Sequence, residues 1–366
     1  MPIKMSNLSA KGWNWGEYQL SDSSLHFSVD KKSCFAINFK DITNCAVPGK
    51  NEVAFEFQQN ETTEDDILCE MRVYIPDVDA CEGLTKEISE RSEFVGLDAL
   101  VTLYDLPMIV PRGKYSLDMF QTFMRLHGKT HNYKIMYKNV TKAFLLPKPD
   151  MIHMNMVIGL ETPIRQGNTV YPFVVIQFSK DSEESVTINM EAEDIRKNFG
   201  DELSQNLEGK SFDVMSKLLK AMVKTTIIIP GNFRSKSDSS AIKCSVRASE
   251  GHLYPLQKSL IFIPKPVIYI KFEDIRFIEF ARVTEDSITT NRSFDINIVT
   301  KSGNFQFTGI DREEYNILLD FLIKKKIQVR KNEEEAKEAE SSEEQMEIDD
   351  EEDSDDDSFN ASDLDN

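Results

Sequence analysis

One short word occurs three times in this chain: an aromatic residue, a charged residue, Asp or Asn, then a β-branched residue. The copies are Phe39-Lys40-Asp41-Ile42, Tyr137-Lys138-Asn139-Val140 and Phe272-Glu273-Asp274-Ile275. An Asp or Asn side chain can bond the backbone of a tight turn, and a β-branched residue after it favours extended chain. The words lie among short alternating or wholly apolar runs such as Val53–Phe57, Phe173–Phe178 and Phe294–Val299, whose period marks them as strands. After each word come another strand, a polar stretch and a helix-like segment. Several strands closed by one helix, repeated along the chain, is not the alternation that builds a doubly wound sheet.

The helix signals fall where this plan needs them. Asp311-Arg312-Glu313-Glu314 reads as a capping box before Tyr315, Leu318, Leu319 and Leu322, and the spacing predicts a helix to about Lys326. Ser211 is predicted to cap another, with Val214, Met215, Leu218, Leu219, Met222 and Val223 on its apolar face. A helical stretch carrying Ile195, Phe199, Leu203 and Leu207 is expected before it, and a further candidate lies between Gly83 and Phe94. Ile227, Ile228 and Ile229 before Pro230 read as the first strand of a following barrel. A helix plugging one open end of a bent sheet is the construction of pleckstrin-homology-like barrels. The expected fold is mainly β with closing helices.

Charge is segregated. The total is -19, and the last 34 positions, Glu333 to Asn366, hold 18 acids and one lysine, a net of -17 that leaves -2 for the other 332 residues. Such a tail cannot bury enough surface to offset its ordering entropy and is expected to stay disordered. Phe359 follows Asp353-Ser354-Asp355-Asp356-Asp357-Ser358. An aromatic among carboxylates can anchor in a pocket while the charge neutralises basic partner surface; histones fit that description. A basic cluster, Arg112, Lys114, Arg125, Lys129, Lys134, Lys138 and Lys142, reads either as a solvated face or as a surface for phosphates or acids. Lys324-Lys325-Lys326 reads equally as an import signal and as the basic last turn of a helix.

Catalytic and cofactor signatures are absent. The 15 glycines form neither a phosphate loop nor a dinucleotide fingerprint. The five cysteines have no zinc-knuckle spacing and are expected reduced. His127 and His131 are four apart but separated by Gly128, and His153 sits in a methionine-rich strand. No serine elbow or kinase signature occurs. The expectation is a protein with no enzyme activity, no cofactor and no metal. The N-terminus has no signal-like apolar stretch and no long apolar run follows, so a soluble, intracellular protein without membrane contact is expected.

A series of longer words occurs in order: Gly12-Trp13-Asn14-Trp15-Gly16, Gly49-Lys50-Asn51-Glu52-Val53, Arg112-Gly113-Lys114-Tyr115, Leu126-His127-Gly128-Lys129-Thr130, Phe144-Leu145-Leu146-Pro147, Pro163-Ile164-Arg165-Gln166-Gly167, Pro230-Gly231-Asn232-Phe233, Leu253-Tyr254-Pro255-Leu256, Arg292-Ser293-Phe294-Asp295 and Arg312-Glu313-Glu314-Tyr315. Together they resemble the structure-specific recognition protein family, the smaller subunit of the FACT histone chaperone, from about Lys11 to Lys331. The resemblance implies tandem pleckstrin-homology-like barrels followed by the disordered acidic tail. The modules expected are an N-terminal one over 1-105, two in a middle domain over 106-225 and 226-332, and the tail over 333-366. It further implies a nuclear, chromosomal location and a FACT subunit that reorganises nucleosomes in transcription, replication and repair without ATP hydrolysis. The implied partners are a large FACT subunit, core histone dimers and tetramers, nucleosomes with indirect or weak DNA contacts, and a separate HMG-box protein. By the same resemblance Phe359 with Asp355, Asp356 and Asp357 is the histone anchor, while Arg112, Lys114, Arg125, Lys129 and Lys134 remain a candidate basic surface.

The chain departs from the family pattern twice. Members usually carry another module before the Gly-Trp-Asn-Trp-Gly word, and here eleven residues precede Gly12; many also end in an HMG box. A rival expectation from another class is a DNA- or phosphoinositide-binding adaptor, with the basic middle region as its binding surface and the tail as an autoinhibitor.

Overall fold

The structure is a computed structural model describing residues 15–57, 68, 70–91, 99–128, 131–166, 169–282 and 292–330. The chain divides into two compact units, one ending at Ile229 and the other beginning at Pro230.

The first unit opens with two three-stranded antiparallel meanders. One is β1 (Glu17–Leu20), β2 (Ser24–Val29) and β3 (Lys32–Asn38); the other is β4 (Ile42–Gly49), β5 (Glu52–Phe57) and β6 (Glu70–Tyr74). The first word joins them. Phe39–Asp41 form a single 3-10 turn, closed by the Ile42 N–H on the Phe39 carbonyl, and the chain restarts as strand at Ile42. Helix α1 (Val78–Arg91) begins earlier than its apolar spacing predicts. Asp77 explains the difference, since its side chain accepts the Asp79 N–H at 3.0 Å and relieves one of the helix's orphan donors. Cys81, Leu84 and Ile88 then meet Phe39, Val53 and Phe55 in one core.

The rest of this unit is a barrel. Its strands are β7 (Val101–Val110), β8 (Gly113–Met119), β9 (Phe123–Gly128), β10 (Asn132–Met136), β11 (Val140–Pro147), β12 (His153–Gln166) and β13 (Thr169–Ser179). β7 pairs with both β8 and β13, which joins the strands before and after the turn word into one sheet. Asp105, at φ 51, sits in the register shift that bends β7. A hairpin of β14 (Glu183–Thr187) and β15 (Asn206–Lys210) brackets α2 (Ala192–Phe199), and α3 (Ser211–Leu218) follows.

Three expectations are corrected here. The helix carrying Ile195 and Phe199 stops at Gly200, at φ 65, so Leu203 lies beyond it and Leu207 is on β15 opposite Val186. Helical spacing continued into a strand because Ile195, Leu203 and Leu207 are all buried, whichever element carries them. Ser211 is the first residue of α3 rather than its cap, and its hydroxyl bonds that of Ser182 at 2.9 Å. The predicted apolar face is buried throughout, carried past Leu218 by a π turn over Leu219–Val223 that ends at left-handed Lys224. Finally, Ile227 and Ile228 form β16, which pairs in parallel with Ala143 and Phe144 of β11. They are the last strand of this barrel, not the first of another. β-branched content marks a strand but does not say which sheet it joins.

The second unit repeats the plan. β17 (Ile242–Val246), β18 (Ser249–Pro255), β19 (Ser259–Ile263), β20 (Ile268–Lys271), β21 (Ile275–Ala281), β22 (Ser293–Thr300) and β23 (Gly303–Asp311) are followed by α4 (Tyr315–Lys324) and β24 (Val329–Arg330). The sheet order β20-β19-β18-β17-β23-β22-β21-β24 matches β10-β9-β8-β7-β13-β12-β11-β16 position by position, including the parallel final strand. Asp311 accepts the Glu313 N–H at 3.0 Å, as a cap should. Leu318 and Leu322 enter a core with Phe262, Phe294 and Phe307. Among the described residues no helix is long and apolar enough to cross a membrane.

Candidate binding surfaces

The basic cluster maps largely to one face. Side chains two apart on a strand share a side. Lys114, Ser116 and Asp118 therefore point outward from β8, while Tyr115, Leu117 and Met119 enter the core. Register places Thr102, Asp118, Arg125 and Lys134 side by side across β7, β8, β9 and β10. Asp118 is decisive here. One of its oxygens takes Nη2 of Arg125 at 2.7 Å and the other accepts the Thr102 hydroxyl at 3.0 Å. Lys134 lies over the Phe123 ring, 4.6 Å from its centroid. Arg112 is exposed in the β7–β8 turn and Lys114 is exposed nearby on β8, and neither forms an ion pair among the described residues. Lys129 lies outside the described residues. The face thus carries cationic character at Arg112, Lys114 and Lys134, with Arg125 held by an acid of the same face.

A polar cluster that the sequence did not flag lies at the edge of this barrel. The rings of Tyr115 and Tyr133 are 6.0 Å apart, and burial pushes both phenols up. His131 stacks on Tyr133, and burial pulls its imidazole down against the opposing field of Glu70. Gln166 accepts the Tyr171 hydroxyl at 3.3 Å. Gly128 is required beneath: an added Cβ would stand 2.6 Å from the Tyr115 ring. Only strand pairing brings these residues together, so neither spacing nor composition could have grouped them.

His153 bonds Asp150 through Nδ1 at 2.7 Å. Burial works against the Asp150 charge, but bonds from the His153 ring, the Ile152 and His153 backbone and Lys148 outweigh it and hold the carboxyl well below the usual range. The strand starts only at His153, leaving Met151 exposed in the turn. In the second unit Asp295 accepts the Gly309 N–H at 2.9 Å and pairs with Arg282, which fixes the bulge between Phe294 and Ile296. Lys324 and Lys325 close α4, with the Lys325 ammonium 5.5 Å from the Phe321 ring centroid, so this basic run completes a helix end. Phe359, Asp355, Asp356 and Asp357 lie outside the described residues.

Fold and surfaces together define a protein of tandem pleckstrin-homology-like barrels with charged outer faces. Comparison with known proteins agrees in chain order: residues 8–96 match the structure-specific recognition protein (SSRP1) family, residues 98–227 the SSRP1 PH domain, and residues 240–331 the histone chaperone Rttp106-like middle domain. The FACT complex subunit SSRP1 of Homo sapiens is 38% identical over 338 residues, covering 90% of this chain and 47% of that protein. The FACT complex subunit pob3 of Schizosaccharomyces pombe is 37% identical over 351 residues, covering 90% of this chain and 68% of the relative. The chain belongs to this family of FACT complex subunits, SSRP1 and Pob3. It spans about half the length of the SSRP1 relatives it matches, at 47%.

Proposed function

We propose that the chain is the small subunit of a FACT complex: a nuclear histone chaperone that binds core histones and reorganises nucleosomes in transcription, replication and repair, without ATP hydrolysis or any other enzyme activity. The observation that carries this reading is the succession of three family matches along the body, followed by a segment of 34 residues with 18 acids and Phe359 among them. A large FACT subunit, histone dimers and tetramers are the partners, and a separate HMG-box protein supplies DNA bending. In the tail, Phe359 is the anchor and Asp355, Asp356 and Asp357 neutralise the histone surface. The modules are those expected at 1-105, 106-225 and 226-332, except that the whole of β7, from Val101, and β16 belong to the second. The ion pair of Arg125 with Asp118 weakens the case for the outer face of β8–β10 as a strong nucleic-acid surface.

The test is removal of Glu333 to Asn366, with binding to free histones and to duplex DNA compared before and after. Lost histone binding with little change towards DNA is expected. Retained histone binding with a large gain towards DNA would replace the chaperone with an adaptor whose tail is an autoinhibitor.

A further inference from the structure

The outer face of β7 to β10 carries two rows of side chains that strand register sets next to each other. The charged row is Thr102, Asp118, Arg125 and Lys134. Two residues along each strand, about 7 Å away, runs a second row, in which Ser116 stands opposite His127 and His127 opposite Asn132. Tyr104 joins this row from β7. The register there moves from Leu103 opposite Leu117 to Leu106 opposite Tyr115, so Tyr104 and Asp105 share Ser116 as their partner. Leu103 and Leu106 both enter the core, and the extra residue, Asp105 at φ 51, leaves Tyr104 facing outward.

Among the described residues Tyr104 is the most exposed large apolar side chain, at 71%. His127 is exposed in the same row, with Lys114 and Arg112 exposed beyond it. The two rings therefore lie between cations on both sides, Arg125 and Lys134 on one and Lys114 and Arg112 on the other. These four cations outnumber the acids of the face, Asp105 and Asp118. The outward neighbours Thr102 and Ser116 are polar, so the Tyr104 ring does not sit at the centre of an apolar patch as a protein contact would require. An isolated ring among cations suits a planar base joined to phosphates. A duplex cannot use that ring, because its base faces already cover one another, and the Arg125 charge is met by Asp118.

We propose that this face binds single-stranded nucleic acid, with one base stacked on Tyr104, a second on His127, and the flanking phosphates on Lys114 and Lys134. The two rings are two strand spacings apart, about 10 Å, well beyond the roughly 3.4 Å between stacked bases. Neighbouring bases must therefore splay, which a single strand allows. Four-stranded sheets that read single strands stack two or three bases in this manner. Neither the acidic tail nor a histone takes part, so this binding is independent of the chaperone reading.

Fluorescence anisotropy with the full chain at low salt tests this, using a labelled oligothymidine strand and a labelled duplex of the same length. The single strand should bind more tightly than the duplex. Tyr104→Ala should weaken single-strand binding about tenfold, the loss of one stacked base, and leave duplex binding as in the parent. Tyr104→Phe keeps the ring and should bind as the parent does. Lys114→Gln should reduce the slope of log affinity against log salt by about 0.7, one phosphate contact to a single strand. An oligouridine strand separates RNA from DNA as the source, and a preference for either supports the proposal when Tyr104→Ala removes it. Equal single-strand binding by parent and Tyr104→Ala, tighter binding of the duplex, or no measurable binding would overturn the proposal. Histone binding lost in Tyr104→Ala with single-strand binding unchanged would also overturn it and would give the face to a protein partner.

Discussion

Glu314 accepts the backbone N–H of Lys236 through both carboxylate oxygens, at 3.1 and 3.2 Å. The contact joins positions 78 apart and fixes the loop after Pro230 to the first turn before α4. Phe233 of the same loop reaches the core and meets Phe321 edge-on, with ring centroids 5.3 Å apart. The Lys236 ammonium pairs with Glu313, so one loop residue is held twice by consecutive acids.

Burial pushes the Glu314 carboxyl up; the Lys236 N–H opposes this, and Asp311 and Glu313 add to it. Between the ordinary carboxylate range and the raised value, the folded chain keeps a proton that the unfolded chain has released. Stability of the second unit should therefore fall as pH rises through that window. Glu314→Gln keeps an acceptor for Lys236 and removes the titration. Urea melts across mildly acidic to neutral pH should show the slope in the parent and a flatter line in the variant; an unchanged slope would assign the effect to another group.

Thiol chemistry offers a second check on packing. Cys45 and Cys244 are buried and their thiols are pushed up to about 12 by burial; Cys81 is buried and raised for the same reason. Only thiolate reacts readily. An alkylating reagent on the native chain should modify Cys34, which is partly exposed, and spare these three until the chain unfolds. Early modification of Cys244 would mean that β17 opens locally.

The words that mark the turns were legible because a turn is local: Phe39–Asp41, Tyr137–Asn139 and Phe272–Asp274 all form single 3-10 turns that end on the β-branched residue. The apolar face from Val214 to Val223 was legible for the same reason. Partner choice was not. Ile227 joins β11 across more than eighty positions, and Leu207 keeps helical spacing with Phe199 although a strand carries it. The Asp118 and Arg125 pair falls seven residues apart on two strands, so a list of basic residues counts Arg125 as available when its charge is already met.

Releasing that charge should change what the face attracts. Asp118→Asn leaves the Thr102 hydroxyl a partner and removes the carboxylate from Arg125. Duplex DNA should then bind more tightly at low salt, and the slope of log affinity against log salt should steepen by about 0.9, one additional phosphate contact. Unaltered salt dependence would show that this face does not meet DNA.

For the tail, an aromatic anchor typically costs about 2 kcal/mol or more when truncated, whereas one exposed charge contributes about 0 to 1 kcal/mol. Phe359→Ala should weaken histone dimer binding in a titration more than Asp365→Asn does. Equal losses would reduce the tail to a polyanion without an anchor.

Asn139, in the turn before β11, binds one residue of β12 twice: its Nδ2 donates to the Thr162 carbonyl at 2.8 Å, and its Oδ1 accepts the Thr162 N–H at 2.5 Å. Asn139→Ala should therefore destabilise this barrel by about 1 to 3 kcal/mol, since both Thr162 groups lose their partner. Asn139→Asp is the sharper variant. It keeps the acceptor but sets a charged oxygen against the Thr162 carbonyl, whereas the protonated acid can donate there as the amide does. Its folded-state pKa should be raised, so the lost stability should return as pH falls through that raised value. Thermal melts of the two variants should diverge at acidic pH, with Asn139→Asp recovering and Asn139→Ala not; parallel behaviour would mean that the protonated acid does not donate to the Thr162 carbonyl.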